Sequence, residues 1–225
     1  MTTLRCRGLT VEVPGRRILT AVDLEVDGGR SVAIVGPSGS GKSTLLNVVA
    51  GILPATTGII EINGQALGTM GGAERSRFRL GHIGVVFQFG EILPEFTVLE
   101  NVALPLRFRG LGAAVAGERA FDALVAVSME GSADALPDSL SGGERQRVAV
   151  ARALAGEPAV VIADEPTGSL DRANADAVAG LLISTTRARG AALLVATHDP
   201  AVARTCDAVF ELGDGSLRPI QMAPC

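Results

Sequence analysis

Aromatic residues are scarce in this 225-residue chain: seven Phe, no Trp and no Tyr. That argues against a platform that stacks successive bases. Cysteine is equally sparse. Cys6, Cys206 and Cys225 are too far apart for a zinc pattern or a disulfide framework, so they read as idle or buried thiols in a reducing compartment. No Lys/Arg run exceeds two residues and the net charge is −4, which does not favour a nucleic-acid-binding face. No apolar run approaches a membrane span, and the N-terminal residues lack the apolar stretch of a signal peptide. The expectation is a cytosolic chain, held at a membrane only through a partner. Apolar residues make up 47% and charged residues 20%, ordinary proportions for one large globular domain.

Against these absences stands one stretch, Gly36-Pro37-Ser38-Gly39-Ser40-Gly41-Lys42-Ser43, which fits the phosphate-binding pattern G-x-x-x-x-G-K-[ST]. The β-branched run 31–35 before it predicts a buried strand. The run from Thr44 to Ala50 predicts a helix that stops at Gly51. Glycines let several N–H groups converge on one anion, and the helix N-terminus adds positive potential. Lys42 is expected to reach the β- and γ-phosphates, and Ser43 to bind Mg²⁺.

Alternating residues at 9–13 and 22–26, and 58–62 followed by Asn63-Gly64, predict antiparallel sheet beside the nucleotide core. A short helix is expected over 73–80 and a strand over 83–87, ending at Gln88. From 89 to 139 the pattern turns helical. Thr97 is placed to cap a first helix, with Pro105 kinking or ending it, and Phe121, Leu124, Val125 and Met129 mark one face of a second. Ser141 caps a further helix to about Ala155. Apolar strands at 159–163 and 191–196 flank a helix whose inner face reads Val178, Leu181, Leu182 and Thr185. A short helix over 200–205 and a strand over 208–212 close the chain. This alternation predicts an α/β fold with a mostly parallel sheet, an antiparallel β subdomain and an inserted α-helical subdomain. The single domain 1–225 divides into a core (1–88 and 140–225) and an insert (89–139). Functional residues belong at the strands' carboxyl ends, where Lys42, Asp164, Glu165 and His198 all fall.

Asp164-Glu165 after an apolar strand can hold Mg²⁺ through water and polarise an attacking water. Leu140-Ser141-Gly142-Gly143-Glu144 places a cap and two glycines at a helix start, with N–H groups facing outward. Together these residues resemble the nucleotide-binding domain of ABC ATPases, over nearly the whole chain and in the family's order. Gly36–Ser43 looks like Walker A, Gln88 the Q-loop, Leu140–Glu144 the signature, Val160–Glu165 Walker B, Ser169-Leu170-Asp171 the D-loop and His198 the switch histidine. The resemblance implies the P-loop NTPase fold and an ATPase that uses ATP and Mg²⁺. Val13, Gly36 to Ser43, Thr44 and Gln88 would bind ATP. Ser43 and Gln88 would ligate the metal, and Asp164 would support it through water. Glu165 would be the base, with His198 and Lys42 beside it. Two copies would face head to tail, so that the signature of one covers the ATP of the other and Asp171 crosses between them.

The segment Phe89–Val102, with Pro166–Asp171 and Thr197-His198-Asp199, resembles the lipoprotein-release and macrolide-export group (LolD/MacB type, with the cell-division ATPase FtsE nearby). That implies a subunit peripheral on the inner face of the cell membrane, driving a separately encoded permease in export or lipoprotein release. The alternative is an ATP cycle that signals through a membrane partner to control cell-wall hydrolysis. No nucleic-acid partner is expected. One position departs from the family. Its usual adenine-stacking aromatic is matched here by Val13, and no aromatic precedes Phe78. That implies weaker base discrimination than usual.

Overall fold

The computed structural model describes residues 2–221; Met1 and Cys225, and the readings placed on them, lie outside that range. Two long antiparallel strands open the chain, β1 (Thr2–Val13) and β2 (Arg16–Asp27). Both exceed what the alternation predicts. In β1 the inward face runs Leu4, Cys6, then Leu9 and Val11, so the parity changes at Gly8, where φ is +57 and the pairing slips. A bulge of this kind hides a strand from a strict period of two. β4 (Thr57–Ile62), after β3 below, and the short β5 (Gln65–Ala66) complete a four-stranded sheet in the order β2-β1-β4-β5. Asn63 and Gly64 turn between them with φ of +49 and +76, as the hairpin signal requires.

The second sheet holds β3 (Ser31–Val35), β6 (Ile83–Val86), β7 (Val160–Asp164), β8 (Ala192–Ala196), β9 (Ala208–Gly213) and β10 (Ser216–Ile220), in the order β10-β9-β3-β8-β7-β6. Every pairing is parallel except β9–β10. β10 is absent from the sequence reading, although Asp214-Gly215 is a hairpin turn with φ of +48 and +76. Its Pro219 masks it; an edge strand tolerates the missing donor.

Seven α-helices surround the sheets among the described residues: α1 (Lys42–Val49), α2 (Gly72–His82), α3 (Val98–Phe108), α4 (Ala113–Val125), α5 (Gly142–Leu154), α6 (Arg172–Ala188) and α7 (Pro200–Thr205). The period of two in β7 and β8 divides the core. Val161, Ala163, Leu193 and Val195 face α3 to α6, while Ile162 and Leu194 face α1 and the antiparallel sheet. Gly84 lets α5 approach β6, since a Cβ there would lie 2.3 Å from the Ala153 carbonyl oxygen.

Two helix faces differ from expectation. α4 buries Ala116, Ala120, Ala123 and Leu124, leaving Phe121 and Val125 outside; Met129 is buried but lies beyond the helix. Small residues let α3 and α4 approach closely, and that outranks the larger side chains' hydrophobicity. α6 buries Ala175, Val178, Ala179, Leu182, Ile183 and Thr186, a face rotated slightly from the expected one, with Leu181 and Thr185 only half-buried. Thr97 caps α3 in a full capping box, and α3 runs through Pro105 to Phe108.

At the sheet's amino end one carboxylate ties three elements together. Asp207 accepts hydrogen bonds from the Ser31 N–H (2.8 Å) and hydroxyl (2.9 Å), from Arg187 (2.9 and 3.0 Å) and from Arg30 (3.1 Å). Burial alone would raise its pKa. The bonds from Ser31 and the Arg187 pair outweigh burial and hold it below the usual carboxylate value. The neighbouring Cys206 thiol is pushed up to about 11 and Cys6 to about 12, in both cases chiefly by burial, so neither is a ready nucleophile.

Candidate functional site

The phosphate loop leaves the carboxyl end of β3 and enters α1. Gly36 has φ +150, and a Cβ there would fall 2.4 Å from the Leu212 carbonyl oxygen of β9. Gly41, with φ +104, leads into a helix that has no side-chain cap and no acidic residue in its first turn. Its first N–H groups therefore face outward without a partner of their own. Lys42 arches over the loop and donates to the carbonyl oxygens of Gly36 (2.8 Å) and Pro37 (3.1 Å). Ser40 Oγ is buried without a hydrogen-bond partner. An uncapped helix start, a cation held only by carbonyls and an orphaned hydroxyl form a cradle that suits a polyanion. Ser43 is exposed at its edge, with Thr44 half-buried behind it.

The second group of residues gathers where β7 and β8 end. Asp164 closes β7. Glu165 then takes φ +47, and its N–H bonds the Ala196 carbonyl, which swings the side chain across to the next strand's loop. There Glu165 Oε2 accepts the His198 N–H at 3.3 Å and sits 2.9 Å from His198 Nδ1. The left-handed backbone at a non-glycine acid is the kind of strain that marks working sites. Gln88, just past β6, packs beside Gly168, and Ser169 Oγ donates to its carbonyl at 3.2 Å.

Ser141 begins α5 in a capping box. Its Oγ accepts from the Glu144 N–H (3.3 Å) and donates to Glu144 Oε2 (2.6 Å), while its own N–H donates to the same oxygen (2.8 Å). The bonds from Ser141 lower the Glu144 pKa. Leu140 is buried beneath, its carbonyl bonded by Arg145. Gly142 abuts Leu170, and a Cβ on Gly143 would lie 2.9 Å from Asn174 Oδ1. Asp171 caps α6 by accepting from the Asn174 N–H (2.9 Å) and Nδ2 (2.8 Å), bonds that hold its carboxyl below the usual range. Among the described residues no hydrogen bond joins Leu140–Glu144 to the phosphate loop; their neighbours are Leu170 and Asn174.

Several residues to which the sequence reading assigns no separate role organise these groups. Gln146 donates to the Phe87 carbonyl (2.8 Å), and Arg152 to those of Gly90 and Glu91 (both 2.7 Å), so α5 grips the segment around Gln88. Arg172 pairs with Asp176 (2.7 Å) and with Asp199 (2.9 Å), joining the residue after Asp171 to the residue after His198. A cavity of about 360 Å³ lies between them, lined by Glu165, Arg172, His198 and Asp199 among others. The i, i+4 spacing of Arg172 and Asp176 is visible in sequence; the link to Asp199 spans 27 residues and is not.

The sequence profile described as ABC transporter matches residues 19–168. This chain belongs to the ABC transporter family. A lipoprotein-releasing system ATP-binding protein, LolD, of Chromohalobacter salexigens is 44% identical over 218 residues, covering 95% of this chain and 92% of the relative. An ABC transporter ATP-binding protein of Mycobacterium tuberculosis, described only as uncharacterized, is 45% identical over 204 residues, covering 91% and 82%. Among solved structures, the dimeric ATP-binding cassette MJ0796 in a post-hydrolysis state with ADP and Pi superposes with a TM-score of 0.86. It is 34% identical, covering 99% of this chain and all of that one. The ABC cassette described here is accordingly an ATP-binding, ATP-hydrolysing transporter component with the expected α/β fold. Among the described residues, no helix is long and apolar enough to cross a membrane.

Proposed function

We propose that this cassette binds ATP in the Gly36–Ser43 cradle and hydrolyses it with Glu165 as the general base, in a head-to-tail pair with a second copy. The observation that carries this reading is the Glu165–His198 contact at the strand ends beside the loop. It supports a carboxylate that would polarise a water and an imidazole that would hold the attack geometry. Lys42, freed from its loop carbonyls, would neutralise the phosphates together with the Gly39 and Gly41 amides. Among the described residues no three His, Cys, Asp or Glu converge as a metal cluster. A magnesium ion suits the site all the same, because Mg²⁺ takes phosphate oxygens, waters and few protein ligands. Ser43 and Gln88 would supply those ligands and Asp164 would act through water. The ion would draw off phosphate charge.

The separation of Leu140–Glu144 from the loop of the same chain supports a site completed by a partner's Ser141 and Gly143. Dimeric MJ0796 lends further support. Asp171, at the exposed start of α6, would cross to the partner. We assign residues 89–139 to a helical unit that meets a separately encoded permease. Phe89 and Phe108, 71% and 74% exposed, support that docking. So does a groove of about 360 Å³ where Phe108 of this unit meets Ile52, Leu80 and Val85 of the core. The relatives named as lipoprotein-releasing favour an export or release permease, with the cassette peripheral on the membrane's inner face. Steady-state phosphate release by the purified chain tests the proposal. Turnover should require Mg²⁺ and fall at least about a hundredfold in Lys42→Ala. Turnover in EDTA, or an active Lys42→Ala protein, would contradict it.

A further inference from the structure

Val13 ends β1 beside the phosphate loop, 43% exposed and without an aromatic ring to offer a base. Its partner across the hairpin is Arg16, the first residue of β2. Arg16 and Ile18 both reach the phosphate loop. Ile18 Cγ2 would stand 3.0 Å from a Cβ on Gly41, and Arg16 Nη2 donates to the Gly39 carbonyl oxygen at 3.5 Å. The adjacent Arg17 is neutralised by Glu12, at 2.6 Å. Arg16 has no acidic partner among the described residues.

An exposed guanidinium held at the loop's rim by one long hydrogen bond has two uses toward a nucleotide: pairing with phosphate or stacking on the base. The loop amides, the uncapped start of α1 and Lys42 already serve the phosphates. All five N–H donors of a guanidinium lie in its plane, so the bond to Gly39 engages an edge and leaves both flat faces free. We propose that Arg16 stacks its guanidinium on the purine of the bound nucleotide, in the place Val13 leaves vacant. The inference rests on the reading of Gly36–Ser43 as the nucleotide site and adds the residue that holds the base. A planar cation is attracted to any π face, so Arg16 contributes affinity for ATP and GTP alike and little choice between them.

Calorimetric titration of the full chain with ATP, GTP and inorganic tripolyphosphate tests this. Arg16→Ala should weaken ATP and GTP binding by about two- to thirty-fold, the range of an exposed to desolvated cation–π contact, and leave tripolyphosphate binding unchanged. Adding Val13→Tyr to that variant should restore ATP affinity. Arg16 is exposed, so the unfolding curve of Arg16→Ala should match that of the parent. Unchanged ATP affinity, or equal weakening of ATP and tripolyphosphate, would overturn the assignment; the second result would move Arg16 to the phosphates. Lys42→Ala reads the underlying site separately. It should lose both ATP and tripolyphosphate, and if it keeps both, the loop assignment fails whatever Arg16 does.

Discussion

Replacing Asp207 with alanine separates scaffold from chemistry, because its bonds lie at the opposite end of the sheet from the loop. The substitution orphans the Ser31 N–H, a donor in a residue only 2% exposed, which costs about 1–3 kcal/mol. The lost pairs to Arg30 and Arg187 are with side chains 64% and 54% exposed, and together add about 0.4–2 kcal/mol. A loss near 3 kcal/mol lowers the melting temperature of a domain this size by roughly 6–12 °C. Asp207→Asn keeps the shape and one acceptor and should lose about half as much. The pH dependence has a definite sign. The carboxyl's folded pKa is depressed, so its stabilisation is complete above the ordinary aspartate value of about 4 and fades as pH falls through the lower folded value. Urea unfolding from pH 8 to 5 should show a constant gap between wild type and Asp207→Ala, closing only in more acidic buffer. ATP turnover at 25 °C should stay within about twofold of wild type. A loss under about 1 kcal/mol, or a turnover defect without a stability defect, would refute the reasoning.

Two further outcomes are expected. Arg172→Ala, which frees Asp199 and loosens the loop carrying His198, should lower kcat about three- to tenfold with KM unchanged, and Arg172→Lys should recover part of it; steady-state kinetics decides this. With Val13 in place of an aromatic, GTP should compete with ATP within about tenfold in a competition titration, and strong ATP preference would count against that.

The candidate site was legible to the extent that the chemistry proposed for it demands fixed residue types at fixed spacing. A backbone cradle needs Gly36, Gly39 and Gly41. A capped signature helix needs Ser141 three residues before Glu144. An acid at a strand end needs the apolar run before it. Helices and strands followed where periodicity was clean. It failed where packing, not hydrophobicity, chose the face, as in α4, whose alanines lie inside while Phe121 lies out. It also failed at β10, where Pro219 masked a real turn signal, and in β1, where Gly8 shifts the parity. The long-range contacts, Gln146 to Phe87 and Arg172 to Asp199 around the site and Ser31 to Asp207 at the far end of the sheet, span 59, 27 and 176 residues, and no local pattern records them.

The central claim is that Glu165 is the base of a site shared between two copies of the chain. Size-exclusion chromatography of Glu165→Gln with ATP and Mg²⁺ tests it most directly. Glutamine keeps the shape and cannot take the proton, so turnover should fall by about 10²–10⁴-fold while ATP still binds and the protein elutes as a dimer. Wild type, which clears its ATP, should elute mainly as a monomer. A Glu165→Gln protein that hydrolyses ATP at the wild-type rate, or stays monomeric with ATP bound, would contradict the account.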